Sequence, residues 1–428
     1  MPEKLPSSGP RSSTGTRVFP PNRIRQIIWL LAAAALASLL WWARWETSPQ
    51  HAYPDTYWYA RQAVAMAGTP TPEAGRFAAR LVCHHGMPPP KPGVECVPGT
   101  RRWAAEMPQR YQRIFTTRPG YSLVAAPFVR VFGAHGLVAA TALLAVLAGV
   151  LAALAVRLLG GGPVSSLFAT LLLFLLPTGF WLTRLLGEAG ATAFALAALC
   201  AAVPLLKPTS TAAARRVAAA GVLAALLATT VTKPATGLLL SVALTVVGAG
   251  LVLWHRRRAG WEPGLLLFTA AAGTASAVWL ALSAALHIPG ASETLQDKFT
   301  RHFTRPDVPD PWARLIRLNQ EFWPTQLDEW WNGGAPLQAS AFLAVLVIGY
   351  AALFRALPAR AAALWATAGA TGLLTLLAHP KPSEVDRLVL IIWLPVVVGV
   401  ALLMRAGTPA ATREPAPPGR TAVPAQRV

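Results

Sequence analysis

Charged residues are scarce in this chain, and acidic residues are the scarcest. Asp, Glu, Lys and Arg make up only 13% of the 428 residues, whereas a soluble domain carries about 25%. Hydrophobic residues make up 54%, and the mean hydropathy is +0.44. This composition excludes an ordinary soluble domain and predicts an integral membrane protein.

Familiar catalytic signatures are absent as well. The sequence contains no Walker loop, no Rossmann glycine pattern, no zinc-protease helix and no nucleophile elbow. It also has no evident internal repeat, which disfavours a transporter built from inverted repeats. Any reaction must therefore be inferred from individual polar residues near the membrane.

Long apolar runs are abundant. A helix needs about 20 apolar residues to cross a bilayer, and the runs predict an all-α fold with about ten transmembrane helices. The predicted spans are residues 27–43, 136–158, 163–183, 187–206, 215–232, 235–254, 263–287, 337–355, 358–379 and 385–404. They form one membrane domain, residues 25–405, between two tails, 1–24 and 406–428, whose Pro-rich composition predicts disordered cytosolic segments.

The net charge of +20 is distributed by side of the membrane. If the N-terminus is cytosolic, every short cytosolic link is basic, as in Arg256 to Arg258, and only Glu3, Glu262 and Glu414 among the acids fall on that side. This is the positive-inside pattern. It predicts a multi-pass protein of the plasma or inner membrane with both termini cytoplasmic, and it explains the charge without a nucleic-acid partner.

Two large loops fall on the opposite side, at about residues 44–135 and 288–336. The first has helical composition over much of its length, and its segment Pro119 to Gly133 is short enough to predict an interfacial or re-entrant helix. Cys83 and Cys96 both lie in this loop and are either a disulfide or two unrelated thiols. The second loop mixes Trp with carboxylates, which suits either carbohydrate binding or an amphipathic interfacial helix.

Asp55 is the first candidate for chemistry. It opens the first loop, in Tyr53-Pro-Asp-Thr-Tyr-Trp-Tyr. A carboxylate there suits a general base, or a metal-supported carboxylate, that activates an acceptor hydroxyl. The aromatic neighbours Tyr57 and Tyr59 suit the wall of a sugar site. The alternative is a helix N-cap, since Asp is among the preferred capping residues.

Glu188 and Arg184 are the second candidate. An acid at the outer end of a span is costly unless it is paired or functional. Arg184 lies four residues earlier and suits a salt bridge with Glu188 on one helical face. In the other interpretation, both residues line the wall of a substrate site.

Lys233 runs against the positive-inside pattern, because it lies in a Thr-Lys-Pro link on the outer side. A lone ammonium at that position suits a phosphate or diphosphate, which it binds as a point charge. The alternative is a lysine that snorkels from a tight turn.

The last outer link gathers five ionisable side chains between two spans: His379, Lys381, Glu384, Asp386 and Arg387. Arg387 suits bidentate contacts with a phosphate, and His379 suits the wall of the same site. His379 has no second ligand at a recognisable metal spacing. The alternative is a neutralised loop, in which the two acids pair with the lysine and the arginine.

Taken in order, these motifs resemble those of the GT-C glycosyltransferases that use polyprenyl-phosphate donors. This branch includes the protein O-mannosyltransferases and the lipid A aminoarabinose transferases. The likeness covers the first 240 residues or so, and it is carried by Asp55-Thr-Tyr-Trp-Tyr, Pro119 to Pro127, the acidic turn at Glu188 and the Thr-Lys-Pro turn at Lys233. Each motif is short, so their order and common side of the membrane carry the comparison.

The resemblance implies inverting transfer of a sugar from a polyprenyl-phosphate donor to a lipid, glycan or protein acceptor outside the cytosol. Asp55 looks like the catalytic first-loop acid, and Lys233 and Arg387 look like donor-phosphate contacts. Many relatives carry a second acid beside the first, whereas Thr56 follows Asp55 here. A divalent metal therefore stays open, and no metal ligand is assigned.

Two other functions suit a multi-spanning chain. One is a lipid or glycan transporter or flippase, and the other is a non-catalytic protein of envelope assembly. Transporters bury charge in mid-membrane, whereas the centres of these spans are almost free of charge. That difference favours an enzyme at the membrane surface.

Overall fold

The computed structural model of the chain describes residues 21–89, 93–333 and 336–404. These residues form α-helices and short 3₁₀ turns without a strand, as the sequence predicts. In chain order the helices are α1 Pro21–Glu46, α2 Pro54–Met66, α3 Thr71–His84, α4 Cys96–Glu106, α5 Gln109–Thr116, α6 Gly120–Phe132, α7 His135–Leu158, α8 Pro163–Leu175, α9 Pro177–Leu182, α10 Glu188–Ala202, α11 Ala212–Thr232, α12 Pro234–Ala259, α13 Pro263–Ala285, α14 Ala291–Phe299, α15 Pro311–Asn332, α16 Pro336–Ala356, α17 Ala359–Ala378, α18 Val385–Leu388 and α19 Trp393–Leu403.

Eight of the described helices are long and apolar enough to cross a membrane, and the bent pair that ends in α19 raises the number to nine. The eight are α1, α7, α10 with the 3₁₀ turn that follows it, α11, α12, α13, α16 and α17. An integral membrane protein is therefore confirmed, but the predicted count of ten is not. Of the predicted tails, residues 1–20 and 406–428 lie outside the described ranges, whereas residues 21–24 belong to α1.

The missing span is the predicted run 163–183, which is divided at Pro177 into α8 and α9. Pro177 has no N–H to continue the helix, and its ring disfavours a helical residue before it. Leu176 is accordingly extended, with φ −71° and ψ 170°. The 13 residues of α8 are too few to cross a bilayer alone.

Although short, α8 runs beside α1 in the same direction. Trp29 Nε1, near the start of α1, donates to Ser166 Oγ, near the start of α8, across 3.0 Å. Arg44 Nε, near the end of α1, donates to the Phe174 carbonyl, near the end of α8, across 2.9 Å. The segment therefore runs alongside the part of α1 between Trp29 and Arg44.

Helix α7 lies at the centre of the bundle and packs against α1, α6, α8 and α10. Its buried face is rich in Ala and Gly, and small residues let membrane helices approach closely. A Cβ at Gly149 would lie 2.8 Å from the Cβ of Ala37 in α1. Thr170 in α8 donates to the Gly149 carbonyl across 2.9 Å on the other side.

The first large loop folds into the five helices α2 to α6. Cys83 in α3 and Cys96 in α4 are joined by a disulfide, so of the two alternatives for these cysteines the pairing holds. The predicted helix at Pro119 to Gly133 is α6. Its buried Ser122 donates to the Tyr59 carbonyl of α2 across 3.1 Å, which fixes the loop against the bundle.

The second large loop contains α14 and α15. Exposed apolar side chains recur along α15 at Trp312, Ile316, Leu327 and Trp331, at spacings that place them near one face of a helix. This stripe favours the interfacial-helix alternative for α15. Arg110 of α5 connects the two loops, because it is hydrogen-bonded to Glu293 and Asp307 in the second loop.

Candidate active site

Four distant parts of the sequence meet at one end of the helix bundle. Arg387 in α18 is central: its Nη2 donates to Asp55 Oδ2 across 2.9 Å, and its Nε donates to Glu188 Oε1. Glu188 Oε1 also lies 3.3 Å from Lys233 Nζ. The structure thus brings together four of the predicted site residues. We call Asp55, Glu188, Lys233 and Arg387 the charged cluster.

Exposure is graded across the charged cluster. The Glu188 side chain is 1% exposed, Arg387 13%, Lys233 19% and Asp55 24%. A buried carboxylate is costly unless it is paired, and Glu188 meets this need with two cations and a position in the first turn of α10, where the helix dipole favours an anion. Glu188 therefore anchors the two cations from beneath, whereas Asp55 lies closest to solvent.

Close packing around Thr232 brings Lys233 to Glu188. A Cβ added to Gly120 of α6 would lie 2.6 Å from the Thr232 Cα, and one at Gly190 would lie 3.1 Å from its Cγ2. Only the absence of a side chain at Gly120 lets α6 approach this backbone. Lys233 itself has an extended φ of −142° between α11 and α12, and Pro234 starts the next helix.

Asp55 is not the N-cap of α2, so that alternative is wrong. The N-cap is Tyr53, whose N–H donates to Thr56 Oγ1 across 3.0 Å. Asp55 lies in the first turn and directs its carboxylate to Arg387. Because Thr56 caps the chain in place of Asp55, the Asp55 side chain is free to take part in the charged cluster.

The two predicted tyrosines lie on opposite faces of α2. Tyr59 is one turn beyond Asp55 on the same face, beneath the charged cluster, and its ring packs against Tyr121 at 5.7 Å. Burial raises the pKa of Tyr59 to about 12. Tyr57 faces away and packs against Trp58 and Trp103, so it is a core residue of the loop rather than part of the wall beside Asp55.

Arg184 does not pair with Glu188, because it precedes α10 in a turn and is not on the same helix. Its guanidinium lies over the Phe180 ring, 3.6 Å from the centroid, and 5.9 Å from that of Tyr53. The Trp181 ring packs against both of these rings and lies 6.0 Å from the Arg387 guanidinium. Arg184 therefore belongs to an aromatic cluster that extends to Arg387.

The last outer link closes the site on one side. Glu384 accepts from Arg387 Nη1 across 3.2 Å and from Lys381, as the neutralised-loop alternative expects, but Asp386 joins neither ion pair. His379 ends α17 and is half-buried. Burial and then the adjacent Lys298 lower the pKa of His379 to about 4, so the ring is neutral near pH 7.

The second loop adds residues that the sequence did not single out. Lys298 at the end of α14 donates to the Pro380 carbonyl in the last outer link. Burial and then nearby Lys381 lower the pKa of Lys298 to about 8. Asp297 Oδ1 lies 3.0 Å from His302 Nδ1 in the same loop. The run Asp297-Lys-Phe-Thr-Arg-His is visibly rich in charged residues, but nothing in the sequence connects it to Arg387.

The charges of the site balance. Asp55, Glu188 and Glu384 face Lys233, Lys381 and Arg387 in direct ion pairs. Each of the three guanidinium nitrogens of Arg387 donates to a carboxylate, so an incoming anion competes with these partners. In the described part of the chain, no group of three or more His, Cys, Asp or Glu side chains is arranged to hold a metal ion.

Comparison of the chain with family models, curated proteins and solved structures gave no match. Its function is therefore argued from the charged cluster and its surroundings.

Proposed function

We propose that this protein is a membrane glycosyltransferase that moves a sugar from a polyprenyl-phosphate donor to an acceptor outside the cytosol. The observation that supports it most is the contact between Asp55 and Arg387 at the end of an apolar bundle. A carboxylate that can accept a proton thus lies beside cations that can hold a phosphate. The proposal includes a GT-C-like fold and a location in the plasma or inner membrane.

The same proposal assigns ten crossings, with α8 and α9 together as one and both termini in the cytosol. The course of α8 beside α1 supports this count. The Cys83–Cys96 disulfide supports an oxidising compartment for the first loop. At the opposite end of the bundle lie Arg256 to Arg258 and the Arg360–Glu262 pair, as the positive-inside pattern requires for a cytosolic face.

In the proposed reaction, an acceptor hydroxyl attacks the anomeric carbon of the donor sugar. The bond between that carbon and the phosphate oxygen breaks, and the polyprenyl phosphate leaves with the electron pair. Asp55 takes the proton of the acceptor hydroxyl. Arg387 and Lys233 stabilise the charge that develops on the leaving phosphate, and Glu188 keeps both cations in place.

The ion pair between Asp55 and Arg387 must open before this reaction. The sugar has to lie between the proton acceptor and the phosphate, yet the two side chains are 2.9 Å apart. Asp55 is the most exposed member of the charged cluster, and its carboxylate is the one that the donor phosphate displaces. Glu188 stays bound to Arg387 and Lys233 throughout, because its buried position gives it no aqueous alternative.

A donor assay tests the function directly. The full-length protein in nanodiscs is given polyprenyl phosphates that carry a labelled hexose or pentose, and label that reaches water or an envelope fraction is counted. We expect Asp55→Asn to lower the rate by about 100-fold or more, with Asp328→Asn, an exposed acid of α15, as the matched control. No release of label by the unaltered protein from any donor would refute the proposal.

Sidedness is tested separately. A reporter inserted at Thr69, in the exposed link between α2 and α3, should report the extracytoplasmic side, and one at Gly260, between α12 and α13, the cytosol. A cytosolic signal at Thr69 would place the charged cluster on the wrong face for a lipid-linked donor.

A transporter or flippase is the other candidate, and the distribution of charge disfavours it. In the described spans, ionisable side chains lie at helix ends, such as Arg157, Glu188 and Arg355, and the middles are apolar. Transport pathways are expected to carry polar groups at mid-membrane. Uptake of a labelled lipid-linked sugar into vesicles without any sugar release would reverse this preference.

A further inference from the structure

A cleft lined largely by polar residues lies between the two large loops. It encloses about 660 Å³ between α5 and the start of α14. Its lining includes Gln109, Arg113, His287, Pro289 and Ser292. Neither the charged cluster nor the last outer link lines it, so it is a separate binding surface.

The side chains in the cleft suit hydroxyl groups better than a single strong charge. Arg110, at its edge, is neutralised by Glu293 and Asp307. Arg113 has no carboxylate partner among the described residues and donates only Nη2, to the His287 carbonyl across 2.9 Å. Its remaining N–H groups can donate hydrogen bonds to a ligand, and the Gln109 amide and the Ser292 hydroxyl can both donate and accept them.

This mixture distinguishes between classes of ligand. The two arginines and the two carboxylates cancel, so the cleft has no excess of positive charge that would select a polyanion. Its apolar lining is limited to small surfaces such as Ile288 and Pro289, whereas a peptide anchor needs a well-packed apolar pocket. Hydrogen-bonding groups beside a small apolar surface suit a sugar ring, whose edge is polar and whose face is apolar.

Helix α14 connects the cleft with the charged cluster. It begins beside Gly290 at the cleft, and Lys298 near its other end is bonded to the link that carries Arg387. Eight residues of helix cover about 12 Å. The cleft and the link that carries Arg387 therefore lie at the two ends of the same short helix.

We propose that the cleft between α5 and α14 binds the acceptor, and that the acceptor is an oligosaccharide. The role of the bound glycan as an acceptor rests on the proposed glycosyl transfer, whereas the binding itself can be tested without it. Binding in the cleft requires neither donor nor catalysis. The cleft thus fixes the distal part of the glycan, and the residues around Asp55 receive its reactive hydroxyl.

Binding to an array of short oligosaccharides tests the inference, with the full-length protein in fluorescent nanodiscs as the probe. Ser292→Trp fills the cleft from an exposed position, so it leaves the fold intact. Arg113→Ala removes the unpaired guanidinium. We expect each variant to weaken binding about tenfold, or about 1.4 kcal/mol, whereas Arg76→Ala, an exposed arginine on α3, leaves it unchanged.

The outcomes separate this inference from the proposed function. A silent array, or equal binding by the protein with and without Ser292→Trp, overturns the acceptor cleft. A peptide array bound in preference to the glycans overturns it too, in favour of a protein acceptor. Array binding by a protein that releases no sugar from any donor supports the cleft and refutes the transferase.

Discussion

Arg387 and Asp55 are 332 positions apart in the chain, yet their side chains form a 2.9 Å hydrogen bond at one end of the bundle. The contact connects the first large loop with the last outer link. It therefore holds a carboxylate of one segment beside a guanidinium of the other. The Asp55 and Arg387 side chains are 24% and 13% exposed, so solvent screens their interaction only in part.

Energetic coupling between these two residues is the first prediction. In a double-mutant cycle of Asp55→Asn and Arg387→Gln, the two losses of stability should be non-additive by about 1–2 kcal/mol, because the residues share one ion pair. Unfolding in mixed micelles measures the free energies. The cycle of Asp328→Asn with Arg387→Gln is the control, and its losses should add.

Removal of Glu188 should cost far more than removal of an exposed acid. Glu188→Gln leaves Lys233 and Arg387 without their buried partner, and breaking a buried pair costs about 3–5 kcal/mol. Glu73→Gln breaks only the exposed 3.7 Å pair with Arg76, for which we expect less than about 1 kcal/mol. Melting of the two variants in detergent provides the comparison, and similar melting temperatures would show that Glu188 is not the anchor of the two cations.

Parts of this site follow from the sequence, and parts do not. Span ends can be located from hydropathy, so Asp55, Glu188, Lys233 and Arg387 could be assigned to one face. Their partners could not, because i,i+4 spacing suggested Arg184 for Glu188, whereas a turn before α10 removes Arg184 from the helix.

The same limit applies to the span count and to the second loop. Hydropathy summed over 163–183 hides the break that Pro177 imposes. The second loop, which carries Lys298 and His302, contacts the first through Arg110 and Glu293, two residues 183 positions apart. Local sequence patterns cannot specify such a contact, whereas they do specify the helices that it joins.

Gly120 should be intolerant of any side chain. A Cβ there would lie 2.6 Å from the Thr232 backbone, so Gly120→Ala has to push α6 away from α11 and shift Lys233 from Glu188. We expect a loss of donor turnover of about tenfold or more together with a lower melting temperature. Gly250→Ala in α12 meets nothing within 4 Å and should be neutral or slightly stabilising. Equal behaviour of the two variants would contradict the packing argument.

The Cys83–Cys96 disulfide should stabilise the first loop rather than the whole bundle. It closes a short segment, because the two residues are 13 positions apart, and a loop of that size is worth about 3 kcal/mol. Replacement of both cysteines by Ala should expose α3 and α4 to limited proteolysis and leave the spans resistant. Cys200→Ala, at a buried thiol within α10, is the control and should not open the loop.

Acid should weaken the junction between α1 and the first loop through the buried His51 and the half-buried His85. His51 stacks on Trp45 at 3.6 Å and lies near His85. Burial, followed by Arg184 and His85, lowers the pKa of His51 to about 4. Burial likewise lowers the pKa of His85 to about 4. In the unfolded chain the pKa of a histidine is about 6.5.

Between these two values the unfolded state binds more protons than the folded state, so the free energy of unfolding falls as the pH drops from about 6.5 to 4. His51→Gln cannot take up that proton and should show a shallower fall than the unaltered protein. Melting temperatures recorded across this pH range measure the difference between the two proteins, in which the titration of shared carboxylates cancels. Identical slopes for His51→Gln and the unaltered protein would mean that His51 is not buried in its neutral form, and that the stack on Trp45 does not secure the start of the loop that carries Asp55.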